Sequence, residues 1–244
     1  MNHSLAVFKR ELKAYFITPV AYVFIVIFLV LNGLSTFYLG NFYERGQADL
    51  EPFFEFHPWL YMFLIPAVSM RLWSEERRSG TIELLLTLPI STTNAVIGKF
   101  FAAWLFCAIA LAGTVPIWFT VNYLGNPDNT VIAAGYIGSL LMAGGFLSAG
   151  ACISAMTKNQ VVAFVLTFMI CFTFNLSGFP MVLDLFRAWT PQAVLEVISS
   201  FSFLTHFESI KKGVIDVRDI IFFGSLMAFW IYLNVVIVEM KKGE

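Results

Sequence analysis

RLWSEERRSGTIELLLTLPISTTN, Arg71 to Asn94, separates two stretches of chain that could each dissolve in lipid. Four charges stand together in it, Glu75, Glu76, Arg77 and Arg78, ahead of a short leucine-rich run and Pro89. Ser79 and Thr81, beside Gly80, are N-cap residue types. Ile82 to Leu88 then makes about two helical turns. Pro89 stops them, because the residue before proline avoids helical backbone. Ser91, Thr92 and Thr93 can cap the next helix. A segment capped, stopped and capped again is ordered. Its Ile82, Leu84, Leu85, Leu86 and Leu88 exceed what a lone surface helix exposes to water. They rest either on the bilayer and the ends of the chain's own spans, or on another protein.

The surrounding composition fits a polar break between membrane spans. The chain has 244 residues, 59% hydrophobic and 13% charged, where a soluble domain is about half apolar and a quarter charged. The excess is too large for one buried core and points to an integral membrane protein. A net charge of −1 leaves no basic surplus for nucleic acid. Cys107, Cys152 and Cys171 sit in apolar runs without metal-ligand or redox spacing, and read as small residues inside helices. Val20 to Leu31 is not closed by a small-x-small cleavage site and reads as a permanent anchor.

The reading is an all-α polytopic membrane protein, one domain over residues 1–244. It has six transmembrane helices, at about 19–38, 53–70, 100–124, 131–156, 161–183 and 220–238. Each is near the twenty residues that cross hydrocarbon, and helices satisfy their own backbone there. Residues 4–16 read as an amphipathic helix, with Leu5, Phe8, Leu12 and Tyr15 on one side and Lys9, Arg10, Glu11 and Lys13 around the rest. It lies in the headgroup plane or extends the first span. Lys and Arg set the orientation. With the N-terminus inside, Lys9, Arg10, Lys13, Arg71, Arg77, Arg78, Lys99, Lys158, Lys241 and Lys242 are cytoplasmic. Arg45, Arg187, Lys211, Lys212 and Arg218 are outside, so the division of the fifteen basic residues is ten to five. Both termini are then cytoplasmic.

In the fourth span Gly144, Gly145, Ser148 and Gly150, with Gly135 and Gly138 before them, let another helix approach closely. The approach is made inside the chain or between subunits. Asp184 to Asp219 is too long for a turn and too polar to span, and reads as short helices at the outer face. His206, Phe207 and Asp216 fall in it.

Several chemistries lack their residues. No G-x-x-x-x-G-K-[ST] occurs, since Phe100 follows Gly98-Lys99, so the chain has no phosphate loop for ATP. No H-E-x-x-H appears, and His3, His57 and His206 are far apart, so no metal ligands and no catalytic residues are assigned. His57 and His206 read as solvated or locally bonded. No charge is centrally placed in a span, and intramembrane charge is what marks a proton or ion pathway. Asn32, Asn122, Asn175 and Asn234 read as interhelical hydrogen bonders.

SEERRSGTIELLLTLPIS followed by GKF resembles the signature of ABC-2 type transporter permeases, E-E-x-x-x-G-T-x-E-x-L-L-x-x-P between the second and third of six spans. Glu75, Glu76, Gly80, Thr81, Glu83, Leu85, Leu86 and Pro89 match in order, and the resemblance covers the whole chain. THFESIKKGVIDVRDI, Thr205 to Ile220, is similar to the gliding-motility-associated permeases and their nitrous-oxide-reductase maturation relatives. The resemblance implies that the opening segment is a coupling helix resting in a groove of a separate cytoplasmic ATPase, with Arg77 and Arg78 beside it. ATP and Mg belong to that ATPase, two copies of which serve two permease subunits, the second being this same chain or a homologue. The chain itself is then no enzyme and sits in a bacterial inner membrane. Two roles are implied by the family, export of a cargo, or conformational work on a membrane-anchored partner with a large extracytoplasmic domain. Asp184 to Asp219 is a lid in the first and a docking surface in the second.

Overall fold

The computed structural model describes residues 3–82, 90–187 and 191–241, and every regular element among them is helical. Helix α1 is His3–Ile17, and α2 is Pro19–Leu34. Pro19 opens α2 at a first-turn position, where its missing N–H breaks no bond. One π-helical turn, Ser35–Leu39, ends it. Then come α3, Glu51–Glu55, α4, His57–Ser69, and α5, Arg71–Ser79. Helix α6 is Thr92–Ala112, α7 Val115–Leu124, α8 Asn129–Met156 and α9 Gln160–Leu176. Three short helices come next, α10 Pro180–Arg187, α11 Gln192–Ser200 and α12 Phe203–Lys211, before α13, Val217–Met240.

Among the described residues, four stretches are long and apolar enough to cross a membrane, Pro19–Leu39, Thr92–Leu124, Asn129–Met156 and Val217–Met240. Helix α9 is apolar but has 17 residues, and α4 has 13. The helix boundaries differ from the sequence reading wherever proline or glycine intervenes. The stretch expected as one span over 53–70 is α3 and α4, interrupted at Phe56, with α5 following a break at Met70. The stretch expected over 100–124 starts at Thr92 and is jointed at Gly113 and Thr114. Pro116 therefore lies in the first turn of α7, which tolerates it, rather than inside a continuous helix. The stretch expected over 161–183 ends at Leu176, and Pro180 opens α10.

Helix α8 is the axis of the packing, touching α4, α5, α6, α9, α12 and α13. It can be central because its small residues admit neighbours. A Cβ on Gly135 would lie 2.5 Å from Phe54, on Gly138 2.6 Å from Ile210, on Gly144 2.6 Å from Met227 and on Gly145 2.6 Å from Phe203. Ser148 and Gly150 are buried beside them. Both ends of α8 are capped. At its start Asp128 accepts from the Thr130 and Val131 amides at 2.9 and 3.4 Å, and its hydrogen bonds to Thr130 hold the carboxyl below the usual carboxylate range. At its end the Arg77 guanidinium donates to the Ala155 carbonyl at 2.6 Å and Lys241 donates to the Met156 carbonyl at 2.9 Å. Cations suit that end of the helix dipole.

A polar knot sits inside the apolar layer. His57 is fully buried, with Nε2 2.9 Å from Asn32 Nδ2 and Nδ1 2.7 Å from Ser139 Oγ. Since the amide nitrogen donates, Nε2 accepts and Nδ1–H donates to Ser139. The imidazole ties α2, α4 and α8 together while Phe28, Phe53, Phe54 and Tyr61 surround it. Asn175 likewise donates to the Pro58 carbonyl at 3.3 Å, and Asn122 pairs with Asn129. The Oδ1 atoms of Asn175 and Asn234 are both buried without a hydrogen-bond partner among the described residues.

Candidate functional site

The charged run of the opening segment is helical. After the break at Met70 the chain re-enters helix as α5, which buries Leu72, Trp73 and Ser74. No side chain near Met70 caps that helix. The cap comes from α8 instead. Ser154 Oγ accepts from the Trp73 and Ser74 amides, each at 3.1 Å, and donates to the Met70 carbonyl at 2.8 Å. One hydroxyl therefore satisfies the groups freed on both sides of the joint, and fixes the direction in which α5 leaves α4. Replacing Ser154 by Ala strands two buried amides, at a cost of about 1–2 kcal/mol. The expected result is faster hydrogen exchange at Trp73 and Ser74, with α8 itself unchanged. Equal protection in the two proteins would show that the hydroxyl does not hold the joint.

Helix α5 ends at Gly80, whose φ of 71° is left-handed backbone that glycine adopts freely. The glycine is a helix stop, with Ser79 Oγ bonded to the Glu75 carbonyl at 2.9 Å and to Thr81 Oγ1 at 2.9 Å. Ser79 and Thr81 thus serve the end of α5, where the sequence suggests only the start of a new helix.

The buried Lys99 gathers the elements at this end. Its side chain is 3% exposed, although it carries a full charge. Nζ lies 2.9 Å from Glu76 Oε1 on α5, 3.2 Å from Glu11 Oε2 on α1 and 3.1 Å from the Leu72 carbonyl. The Trp73 ring centroid is 5.1 Å away, within cation–π range. Arg10 completes the cluster, 2.5 Å from Glu11 and 3.5 Å from Glu76. Two cations meet two carboxylates, so the buried charge is balanced. Burial alone would raise the Glu11 carboxyl, but the adjacent Lys99 ammonium and Arg10 guanidinium outweigh it and hold the group below the usual carboxylate range.

Packing puts Lys99 in reach of α1. Next to it, Gly98 has no side chain, and a Cβ there would meet Val7 at 2.9 Å. Val7 is buried and Leu5 half exposed. The face of α1 turned inward is accordingly rotated from the one its apolar residues suggest, because it is chosen by the notch at Gly98 and the charge at Lys99. Lower on the same helix pair, Tyr15 stacks on Phe106 with ring centroids 4.9 Å apart.

The sequence-predicted residues divide among several roles. Glu76 and Arg10 join the Lys99 cluster, Glu75 pairs with Arg71 at 2.9 Å, and Arg77 caps α8. Arg78, Gly80 and Thr81, and Lys9 and Lys13 on α1, are exposed. Glu83, Leu85, Leu86 and Pro89 lie outside the described residues. Gly144, Gly145, Ser148 and Gly150 face the chain's own helices. At the opposite end Phe207 is buried under Gly138, and Asp216 caps α13 through the Arg218 amide at 3.0 Å. His206 bridges Asp219 Oδ1 at 2.6 Å and the Ser200 carbonyl at 2.9 Å.

Sequence reasoning counted Lys99 only as a charge flanking a span and did not single out Ser154. The one available signal for Lys99 was its place beside Gly98 on a helix otherwise apolar. Cys152 and Cys171 are buried and Cys107 partly so, all three free. Among the described residues no group of three His, Cys, Asp or Glu could hold a metal.

No curated protein matches the chain. A family model described as ABC-2 family transporter protein matches residues 5–238. With four helical stretches among the described residues long and apolar enough to cross a bilayer, the chain is a multi-pass membrane protein of the ABC-2 transporter family.

Proposed function

We propose that this chain is the permease subunit of an ATP-driven exporter, moved by a separate cytoplasmic ATPase that docks on Ile82 to Leu88. Family membership carries an ABC ATPase partner in general. The observation that supports the docking point is the Lys99 cluster. It ties α5, which leads directly into the leucine-rich segment, to α1 and to the core of α6. A push received beyond Gly80 has a stiff path into three helices, because α5 is fixed by Ser154 at one end and by Lys99 along its side. Force applied to an unsupported loop would dissipate.

In this reading α4 with its flanking helices and α9 also cross the membrane, making six spans, and both termini are cytoplasmic in a bacterial inner membrane. Two permease subunits and two ATPases form the working unit, with ATP and Mg held by the ATPases alone. The outer helices α10 to α12 serve as a lid. A second reading, in which nothing crosses and the subunit drives an extracytoplasmic partner as in the gliding-motility-like subgroup, draws on the apolar face that Val194, Val197 and Phe201 expose there.

Replacing Leu85 and Leu86 together by Glu buries charge in the docking groove. The expected result is at least about a tenfold loss of co-purifying ATPase, with the membrane part still monodisperse. Recovery of the ATPase at the wild-type ratio would reject the docking assignment. The orientation has its own check. A cysteine at Asn126 reacts with an impermeant thiol reagent on intact spheroplasts, and one at Lys158 does not; the opposite labelling pattern would invert the chain.

A further inference from the structure

His206 stands where three helices meet, at the end of the molecule away from Lys99. Its Nε2 lies 2.9 Å from the Ser200 carbonyl, at the end of α11. Its Nδ1 lies 2.6 Å from Asp219 Oδ1, in the first turn of α13. A carbonyl can only accept, so Nε2 donates. The other oxygen of Asp219 accepts from Ser209 at 2.7 Å. A hydrogen also lies between Nδ1 and Oδ1, since two bare lone pairs would repel at that distance. Ring and carboxylate together therefore hold one proton more than a neutral imidazole beside an ionised Asp219. The start of a helix favours an anion, so Asp219 is the carboxylate and the ring is the cation. The His206 side chain is 6% exposed, and Phe222 stacks on it with ring centroids 3.9 Å apart. That clamp keeps the edge of the ring on both partners.

Few other charges bear on the ring. Helices α8 and α9, against which α12 packs, carry no charged residue. Helix α11 brings Glu196, and the start of α13 brings Asp216 and Arg218; all three line a cavity of about 420 Å³ beside His206. On α12 itself Glu208 pairs with Lys211 at 2.9 Å and with Lys212 at 3.0 Å. Among the described residues only Asp219 forms an ion pair with His206. A neutral ring has one N–H and gives up one of its two partners. A bond to a carboxylate is charge-assisted and about twice as strong as one to a carbonyl. The proton that stays is therefore on Nδ1, and the Ser200 carbonyl is left facing a lone pair. The loss falls on α11. That helix has nine residues and its chief contacts are α10 and α12. The cavity gives water a way to the freed carbonyl.

We infer that His206 is a proton-operated clasp. Charged, it holds the end of α11 against α12 and α13; neutral, it keeps Asp219 and releases α11. The clasp is closed on the acid side of the ring's own titration and opens as pH rises through it. This goes beyond the transport role. It stands whether the outer helices are a lid or a docking surface, and whether or not the ATPase docks at the leucine segment.

The test follows the full chain in lipid nanodiscs as pH is raised. Ring protons are read by NMR of isotope-labelled histidine, and α11 by hydrogen exchange corrected for the intrinsic effect of pH. His206→Gln identifies the His206 signals by their absence. On the acid side His206 is expected to show two ring N–H protons. Across its titration the Nε2 proton is lost and the Nδ1 proton kept. Over the same interval the α11 amides lose protection about tenfold, the worth of one hydrogen bond to a charged group, while α13 holds. His206→Gln has no charge to lose, and its α11 protection is expected to stay level. Glu196→Gln removes the other titrating group on α11 and is expected to keep the wild-type response. The inference is overturned by a neutral ring with its proton on Nε2, or by α11 protection that does not follow the ring. A response that persists in His206→Gln, or vanishes in Glu196→Gln, overturns it as well. The wild-type measurements decide the question even if a variant fails to fold.

Discussion

Lys99→Met is expected to cost about 3–5 kcal/mol, because it leaves the Glu11 and Glu76 carboxylates facing each other with their shared ammonium gone. Both carboxylates are mostly buried, at 15% and 21% exposure, so water does little to replace the ammonium. Arg10 remains on Glu11 at 2.5 Å, but it is half exposed and reaches Glu76 only at 3.5 Å. In a chain of this size the loss corresponds to a fall of roughly 10 °C in melting temperature, read in detergent by loss of monodisperse protein. Adding Glu11→Gln and Glu76→Gln to Lys99→Met removes the stranded charge and restores most of the loss. A Lys99→Met protein that melts within a degree or two of the wild type would mean that the cluster is not a support. A triple variant no better than the single one would mean that charge is not the reason.

The same pair of proteins has a pH signature. The Glu11 carboxyl is held below its ordinary range in the folded chain, so its contribution is fully present above that range and is lost as pH falls through the folded value. The wild-type melting temperature therefore drops on acidification. In Lys99→Met the Glu11 carboxyl keeps only Arg10 beside it, so less stability is lost when it takes up its proton, and the two curves converge toward acid. Curves that stay parallel would show that Glu11 titrates without regard to Lys99.

Gly150→Leu is expected to be as damaging, for a steric reason. A Cβ at Gly150 would lie 2.6 Å from Ser69 Cβ and 3.0 Å from Thr167 Cγ2, with Ser69 Oγ closer still. Ser69 is on α4 and Thr167 on α9, and both are fully buried. The added side chain has no exit, so α8 must move away from one neighbour or the other. Overpacking of this kind costs about 1–3 kcal/mol for an inserted methylene or two, and a whole isobutyl group exceeds the upper figure. The control is Gly224→Leu. Gly224 is also within a helix, but no atom of the described residues lies within 4 Å of its Cβ direction, so leucine there gains up to about 1 kcal/mol of helix propensity. One glycine to leucine change should thus lower the melting temperature and the other hold or raise it. Similar losses at both positions would remove close approach as the role of Gly150.

The length and apolarity of a spanning helix are properties of one continuous segment, so the helices at Pro19, Asn129 and Val217 could be placed from the chain alone. Proline and glycine positions were visible too, but their effect depended on register. Pro116 falls inside the stretch expected as one span, but the chain is jointed at Gly113 and Thr114, and the proline is simply the second residue of α7. Gly80 reads as part of a helix start and is the stop of the helix before it.

The candidate site was half legible. The acids and arginines of the opening stretch announced themselves by standing out from lipid-soluble neighbours. Their partners did not, because Glu11, Glu76 and Lys99 are brought together from three helices and Ser154 serves amides eighty residues away. By itself the sequence determined that this chain lives in a bilayer, that it is helical, and which family signature it carries, since hydrophobic length and local motif need no contacts. Only the tertiary structure decided which face of α1 turns inward, which serine caps the joint at Met70, and that Lys99 is buried with two carboxylates. Those outcomes depend on charges and small residues meeting across distant segments, and no periodicity within a segment records them.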